Sequence, residues 1–119
     1  MEKENGKGKE FKFGNLIFEG EFLNGEAWNG KGFDKNGNIA YELKDGKGFV
    51  KEYDYGNHLI FEGEYLNGRK FAKGKEYKGG KVIYEGEFSN GLRNGKGKEY
   101  DDNGNLIFEG EYYKGEKKI

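Results

Sequence analysis

Four pairs of glutamates, Glu19/Glu21, Glu62/Glu64, Glu85/Glu87 and Glu109/Glu111, have the types and spacing in this sequence that could do chemistry. Two positions apart on an extended strand, the carboxylates of a pair share a face at a separation of roughly 6.8 Å. Such a pair can divide general acid and base between its members, or hold a cation. Its setting argues against both. Each pair lies in the same pentapeptide: Phe18-Glu-Gly-Glu-Phe22, Phe61-Glu-Gly-Glu-Tyr65, Tyr84-Glu-Gly-Glu-Phe88 and Phe108-Glu-Gly-Glu-Tyr112. A catalytic pair is needed once, whereas a pair recurring with the structural period belongs to the scaffold. Lys7/Lys9, Lys73/Lys75 and Lys96/Lys98 are available as cross-strand partners. A solvated, charge-paired face is therefore expected, and no catalytic residue.

The remaining candidates for chemistry are few. His58 is the only histidine and there is no cysteine, so no metal set or nucleophilic triad is assembled around either. Gly-x-Gly occurs at Gly6/Gly8, Gly30/Gly32, Gly46/Gly48 and Gly95/Gly97. None opens a helix, so no helix N-terminus is there to receive a phosphate. No cofactor is expected.

Binding is the better prospect. Arg69-Lys70 with Lys73 and Lys75, Arg93 with Lys96 and Lys98, and Lys114 with Lys117-Lys118 form local basic clusters. If their loops share a rim, they could meet anionic lipid head groups at about 1 kcal/mol per residue. Trp28, the only tryptophan, is either a ring capping the core or an anchor for a partner. Trp28, Arg69, Lys70 and Arg93 are thus the candidate interaction residues. With 21 Lys plus Arg against 22 Asp plus Glu, the net charge of −1 gives no general attraction to nucleic acid.

The elements that position these residues follow from the repeat. First aromatics at 18, 41, 61, 84 and 108 give steps of 23, 20, 23 and 24 residues, the mark of a repeat architecture. The 119 residues form a single repeat domain, 1–119, of about five units. Its 19 Phe and Tyr rings, each bringing roughly 150–250 Å², can build a narrow core. Each aromatic strand alternates ring, charge, Gly, charge, ring, and leads through Asn-Gly turns to a second strand such as Lys96–Tyr100. Strands are expected at 7–11, 16–22, 31–34, 38–43, 48–54, 59–66, 73–78, 81–88, 95–100 and 106–113. Ten strands ~4.8 Å apart would span a ribbon on the order of 45 Å. Glycines between two rings are expected to leave a slot for a neighbouring ring or to let backbones approach closely. Tyr41-Glu-Leu-Lys44 lacks that glycine, and Asp45-Gly46 shortens the turn. A kink or tighter hairpin is expected there.

Tyr84, Gly86 and Phe88, then Asn90-Gly91, then Gly95 and Gly97 resemble the MORN (membrane occupation and recognition nexus) repeat. Phe18, Gly20, Phe22 and Gly25 repeat the pattern, as do Phe61, Gly63, Tyr65 and Gly68. The second copy and Ala72-Lys-Gly74 depart from it. The Gly-Lys-Gly-Lys-Glu-Tyr wording also looks like a bacterial variant labelled antitoxin-like. The resemblance implies an all-β, elongated, twisted antiparallel meander of about five β-hairpin repeats, with an open sheet. It also implies a non-catalytic scaffold, dimerisation element or docking module, with phosphoinositide binding proposed for several members. Some members are attached to lipid kinases or SET-domain methyltransferases; these 119 residues contain neither segment, so those activities are not expected of them.

The expected function is thus a binding module for a protein partner whose identity the sequence does not give, with anionic phospholipid binding as the alternative. No secretory h-region and no long apolar run occur, so a cytoplasmic protein is expected, peripheral to a membrane under the lipid-binding alternative. Open sheet edges at the two ends raise homo-association, unless the charged flanks Glu2-Lys-Glu4 and Lys114 to Lys118 act as gatekeepers.

Overall fold

Asparagine followed by glycine sets the rhythm of the chain. Asn24-Gly25, Asn67-Gly68 and Asn90-Gly91 take positive φ at both residues, the backbone of a two-residue turn that matches strand twist. The computed structural model describes residues 5–54 and 56–119, so the flank Glu2 to Glu4 lies outside the described residues. Among the described residues eleven strands follow in meander order: β1 (Gly6–Lys12), β2 (Asn15–Leu23), β3 (Glu26–Phe33), β4 (Ile39–Leu43), β5 (Gly48–Tyr53) and β6 (Leu59–Leu66). Then come β7 (Arg69–Lys78), β8 (Lys81–Ser89), β9 (Leu92–Tyr100), β10 (Leu106–Tyr113) and the short β11 (Glu116–Lys117). No helix among the described residues is long and apolar enough to cross a membrane.

The second strand of most units starts earlier than expected. β3, β7 and β9 begin at Glu26, Arg69 and Leu92, directly after their two-residue turns. Asn94-Gly95 is therefore not a turn. It lies inside β9 beside a register shift opposite Gly86 to Phe88, and Gly95 absorbs the irregularity at φ 102°. Asp34, Asp54 and Asp101 each close a longer connection. Asp101 Oδ1 accepts the N–H of Asn103 and of Asn105, both at 2.9 Å. Asp34 does the same for Asn36 and Asn38, and Asp54 accepts the N–H of His58.

The strands form two antiparallel sheets, β1-β2-β3-β4 and β11-β10-β9-β8-β7-β6-β5. They part at the irregular second unit. Across the Asp45-Gly46 turn only one bridge, Lys44 to Lys47, joins β4 to β5. Leu43 is buried there at the phase where the other four units carry Gly. Turn tips tie the two sheets together instead: Gly46 N–H donates to Trp28 O at 2.9 Å, and Gly68 N–H to Gly46 O at 3.0 Å. Turn glycines bond the neighbouring hairpin in the same way further on, Gly91 N–H donating to Lys70 O and Gly115 N–H to Arg93 O. The whole molecule extends 43 × 27 × 25 Å, close to the length expected of the ribbon.

Rings fill the inner face as a zipper. Phe61 meets Phe88 at 5.4 Å, Phe88 meets Tyr84 at 5.3 Å, Tyr84 meets Tyr112 at 5.1 Å and Tyr112 meets Phe108 at 5.5 Å, all edge to face. A second cluster holds Phe18, Phe22, Leu43 and Val50. Glycines run beneath the rings in register: Gly63 with Gly74, Gly74 with Gly86, Gly86 with Gly97 and Gly97 with Gly110. Both expected roles occur. A Cβ on Gly74 would lie 2.8 Å from the Phe61 ring, and one on Gly86 would lie 2.6 Å from Gly97 Cα.

Gly74→Ala should therefore cost about 1–3 kcal/mol by overpacking. Gly8, whose Cβ would meet only the Phe22 ring at 3.4 Å, should tolerate alanine with little change. Urea denaturation of the two variants checks the contrast; equal effects would mean that ring-over-glycine contact does not carry the stability.

Candidate functional site

The face opposite the rings carries a groove of about 890 Å³ across the seven-stranded sheet. Its floor is backbone, the glycine row from Gly63 to Gly110. Strand alternation places one charged residue on each side of every floor glycine. One wall reads Glu62, Lys75, Glu85, Lys98, Glu109 in register order, each residue opposite the next. The other pairs Lys73 with Glu87 and Lys96 with Glu111. Phe49, 55% exposed, closes one end.

The repeated glutamates thus face solvent as a charge-paired surface. Lys75 reaches Glu85 at 3.9 Å, Lys98 reaches Glu109 at 4.0 Å and Lys9 reaches Glu19 at 3.7 Å. Tyr77 and Tyr100 each donate a hydroxyl hydrogen bond of 3.0 Å, to Glu62 and Glu85. These contacts fix the wall carboxylates without burying them. The groove has polar walls and a floor of glycine backbone.

The basic candidates sit elsewhere. Arg69, Lys70 and Arg93 are strand residues, not loop residues. Lys70 Nζ lies 4.4 Å from the centre of the Phe61 ring and 3.6 Å from Glu52. Arg93 lies 4.3 Å from the Tyr84 ring centre and donates to Glu76 Oε1 at 2.7 Å. Burial alone would lower the Arg93 pKa; the Glu76 hydrogen bond and charge outweigh it and raise the value. Lys117 repeats the arrangement 5.1 Å from Phe108 and 3.2 Å from Glu99. Steps of 23 and 24 residues separate these three cations, so they cap the ring zipper once per unit. That phase was open to view in the sequence, each cation lying nine residues after the first ring of its unit.

Trp28 and Arg69 do come together. Both line a crevice of about 320 Å³ at the sheet junction, with Leu23 and Asn67. Arg69 binds Glu26 across that junction, Nη2 to Oε1 at 2.8 Å and Nε to Oε1 at 2.9 Å. Trp28 is half-buried in β3 against Gly46, whose Cβ would lie 2.8 Å from its ring. His58 Nδ1 lies 3.2 Å from Asp54 Oδ1 within its turn.

A comparison with protein families matches residues 84–106 to the MORN repeat. That stretch is the unit comprising β8, its turn and β9, up to the first residue of β10. No curated protein matches the chain.

Three results follow from these ion pairs and buried hydroxyls. Arg93→Met should cost about 1.5–3 kcal/mol, the range of a hydrogen bond to a charged group. Arg69→Met should cost under ~1 kcal/mol, because that side chain is 50% exposed. Thermal unfolding of the two variants separates them. In alkali, burial pushes the hydroxyls of Tyr41, Tyr84 and Tyr112 up to about 12 from 10.0. The unfolded chain loses those protons first, so stability is full below pH 10 and drains away between pH 10 and 12. A tyrosinate absorbance titration should show these rings ionising together with unfolding. In acid the sign reverses. Glu99 is raised by burial but held lower overall by the Tyr112 hydroxyl and Lys117. Its contribution is present above pH 4.5 and is lost as pH falls further.

Proposed function

We propose that this chain, a MORN-repeat protein, is a non-catalytic docking module that holds an extended stretch of a partner polypeptide in the groove opposite its rings. The observation that carries this reading is the groove's composition. A side-chain-free floor admits a backbone, and walls of alternating sign suit side chains of either charge. Its lining holds five glutamates and four lysines, so it exerts no net pull on anionic lipid. The cations best suited to head groups, Lys70 and Arg93, are already engaged by rings and carboxylates. Phe49 offers the occupant an aromatic anchor of the kind that dominates binding energy. The expected compartment is the cytoplasm.

Two assays on the whole chain separate the readings. Capture of a partner from source-cell extract should be abolished by Lys75→Glu with Lys98→Glu and weakened by Phe49→Ala, yet survive Arg69→Glu. Flotation with phosphoinositide vesicles at physiological salt should match that with neutral vesicles. Selective flotation, lost on changing Arg69, Lys70 and Arg93 to Glu, would replace the docking reading with lipid recognition.

A further inference from the structure

The units differ at one phase. Register places a residue opposite the second ring of each repeated pentapeptide: Lys70 opposite Tyr65, Arg93 opposite Phe88, Lys117 opposite Tyr112. In the first unit that residue is Ala27, opposite Phe22. The partners of the missing cation are nevertheless present. Glu10 stands opposite Phe18 as Glu76 stands opposite Tyr84 and Glu99 opposite Phe108. The Glu10 carboxylate makes no hydrogen bond or ion pair among the described residues.

Space remains where the cation is absent. A cavity of about 480 Å³ opens at the junction of the two sheets, lined by Ala27, Glu10, Glu52, Tyr41, Tyr65 and Val50 among others. Its ionisable lining holds five carboxylates and three lysines, so it is acidic. One carboxylate oxygen, Glu52 Oε2, is buried with no hydrogen-bond donor, Lys70 standing 3.6 Å away. That oxygen is held only by the long Lys70 ion pair, so it can accept a further donor from the open space beside it.

We propose that this cavity binds a cationic nitrogen group, a guanidinium or primary ammonium carried by a ligand, in the place that Lys70, Arg93 and Lys117 fill from within the chain. The ligand's N–H groups bridge Glu10 and Glu52 by charge-assisted hydrogen bonds. Its cation lies against the aromatic faces of Tyr41 and Tyr65, as Arg93 lies against Tyr84. The phenols suit that role because burial keeps both protonated, with the Glu52 charge adding to the effect at Tyr65. This site is separate from the groove, and either can fail without the other.

The test is an NMR titration of the full chain with argininamide, with its neutral isostere citrullinamide, and with a glycine-flanked arginine peptide. Argininamide should shift the amides of Ala27, Tyr41 and Glu52 saturably, and citrullinamide should bind roughly ten-fold or more weakly, the worth of one charged hydrogen bond. Ala27→Arg should supply the cation internally, abolish binding and raise Tm. Glu10→Gln, on an exposed edge strand, should weaken binding by a similar factor and covers the case in which Ala27→Arg fails to fold. A peptide that binds at least as tightly as argininamide identifies a partner's side chain as the source; binding of argininamide alone identifies a free small molecule. No saturable shift, equal binding of citrullinamide, or full binding by Glu10→Gln overturns the proposal.

Discussion

A ring lying over a glycine of the next strand is the contact on which the rest of this protein depends. A single layer of sheet has nothing to pack against, and these strands contribute no second layer. The chain meets the problem by bending the sheet so that rings from neighbouring units touch one another. Phe61, Phe88, Tyr84, Tyr112 and Phe108 then form a continuous edge-to-face series. Rings can lie that close to the sheet only where it carries no Cβ, which is why the glycines align in register from Gly63 to Gly110. On the other face the charged neighbours of each glycine stand on either side of the same row and wall the groove.

Cations complete the arrangement at the turn rim. Lys70, Arg93 and Lys117 each cover a ring and hold a glutamate. They stabilise through packing and charge together, as long basic side chains do when their heads have partners. Two units break the rule, and they are adjacent. The first has Ala27 in place of the cation, and the second has Leu43 in place of glycine. Loss of the glycine coincides with the parting of the sheets, and loss of the cation with the acidic cavity beside it. Irregularity is thus concentrated at the junction of β1–β4 with β5–β11, while the units after it remain close copies of one another.

Much of this was legible in the sequence because it is periodic. The strand alternation, the ring face and the opposed glutamates follow from Phe-Glu-Gly-Glu-Tyr alone, and the short turn at Asp45-Gly46 located the irregular unit. Boundaries were harder. Asn94-Gly95 has the composition of a turn, but the preceding Asn90-Gly91 already reverses the chain, so the second pair bulges within β9. That shift moves Arg69, Lys70 and Arg93 from loops into strands. It also changes what they do, because a strand residue opposite a ring points at the ring. The closing role of Asp34, Asp54 and Asp101 was hidden by the Asn-Gly signal beside it. Convergence of Trp28 with Arg69 was illegible for another reason: it depends on how two sheets meet, and no periodic pattern encodes a meeting that occurs once.

Native-state hydrogen exchange would test most directly whether ring-over-glycine contacts bind the units into one body. The account predicts that amides from β6 to β10 open together, with the highest protection along the glycine row and a separate, lower opening free energy for β1 to β4. Hairpin-by-hairpin opening, each unit exchanging at its own free energy whatever its neighbours do, would contradict it.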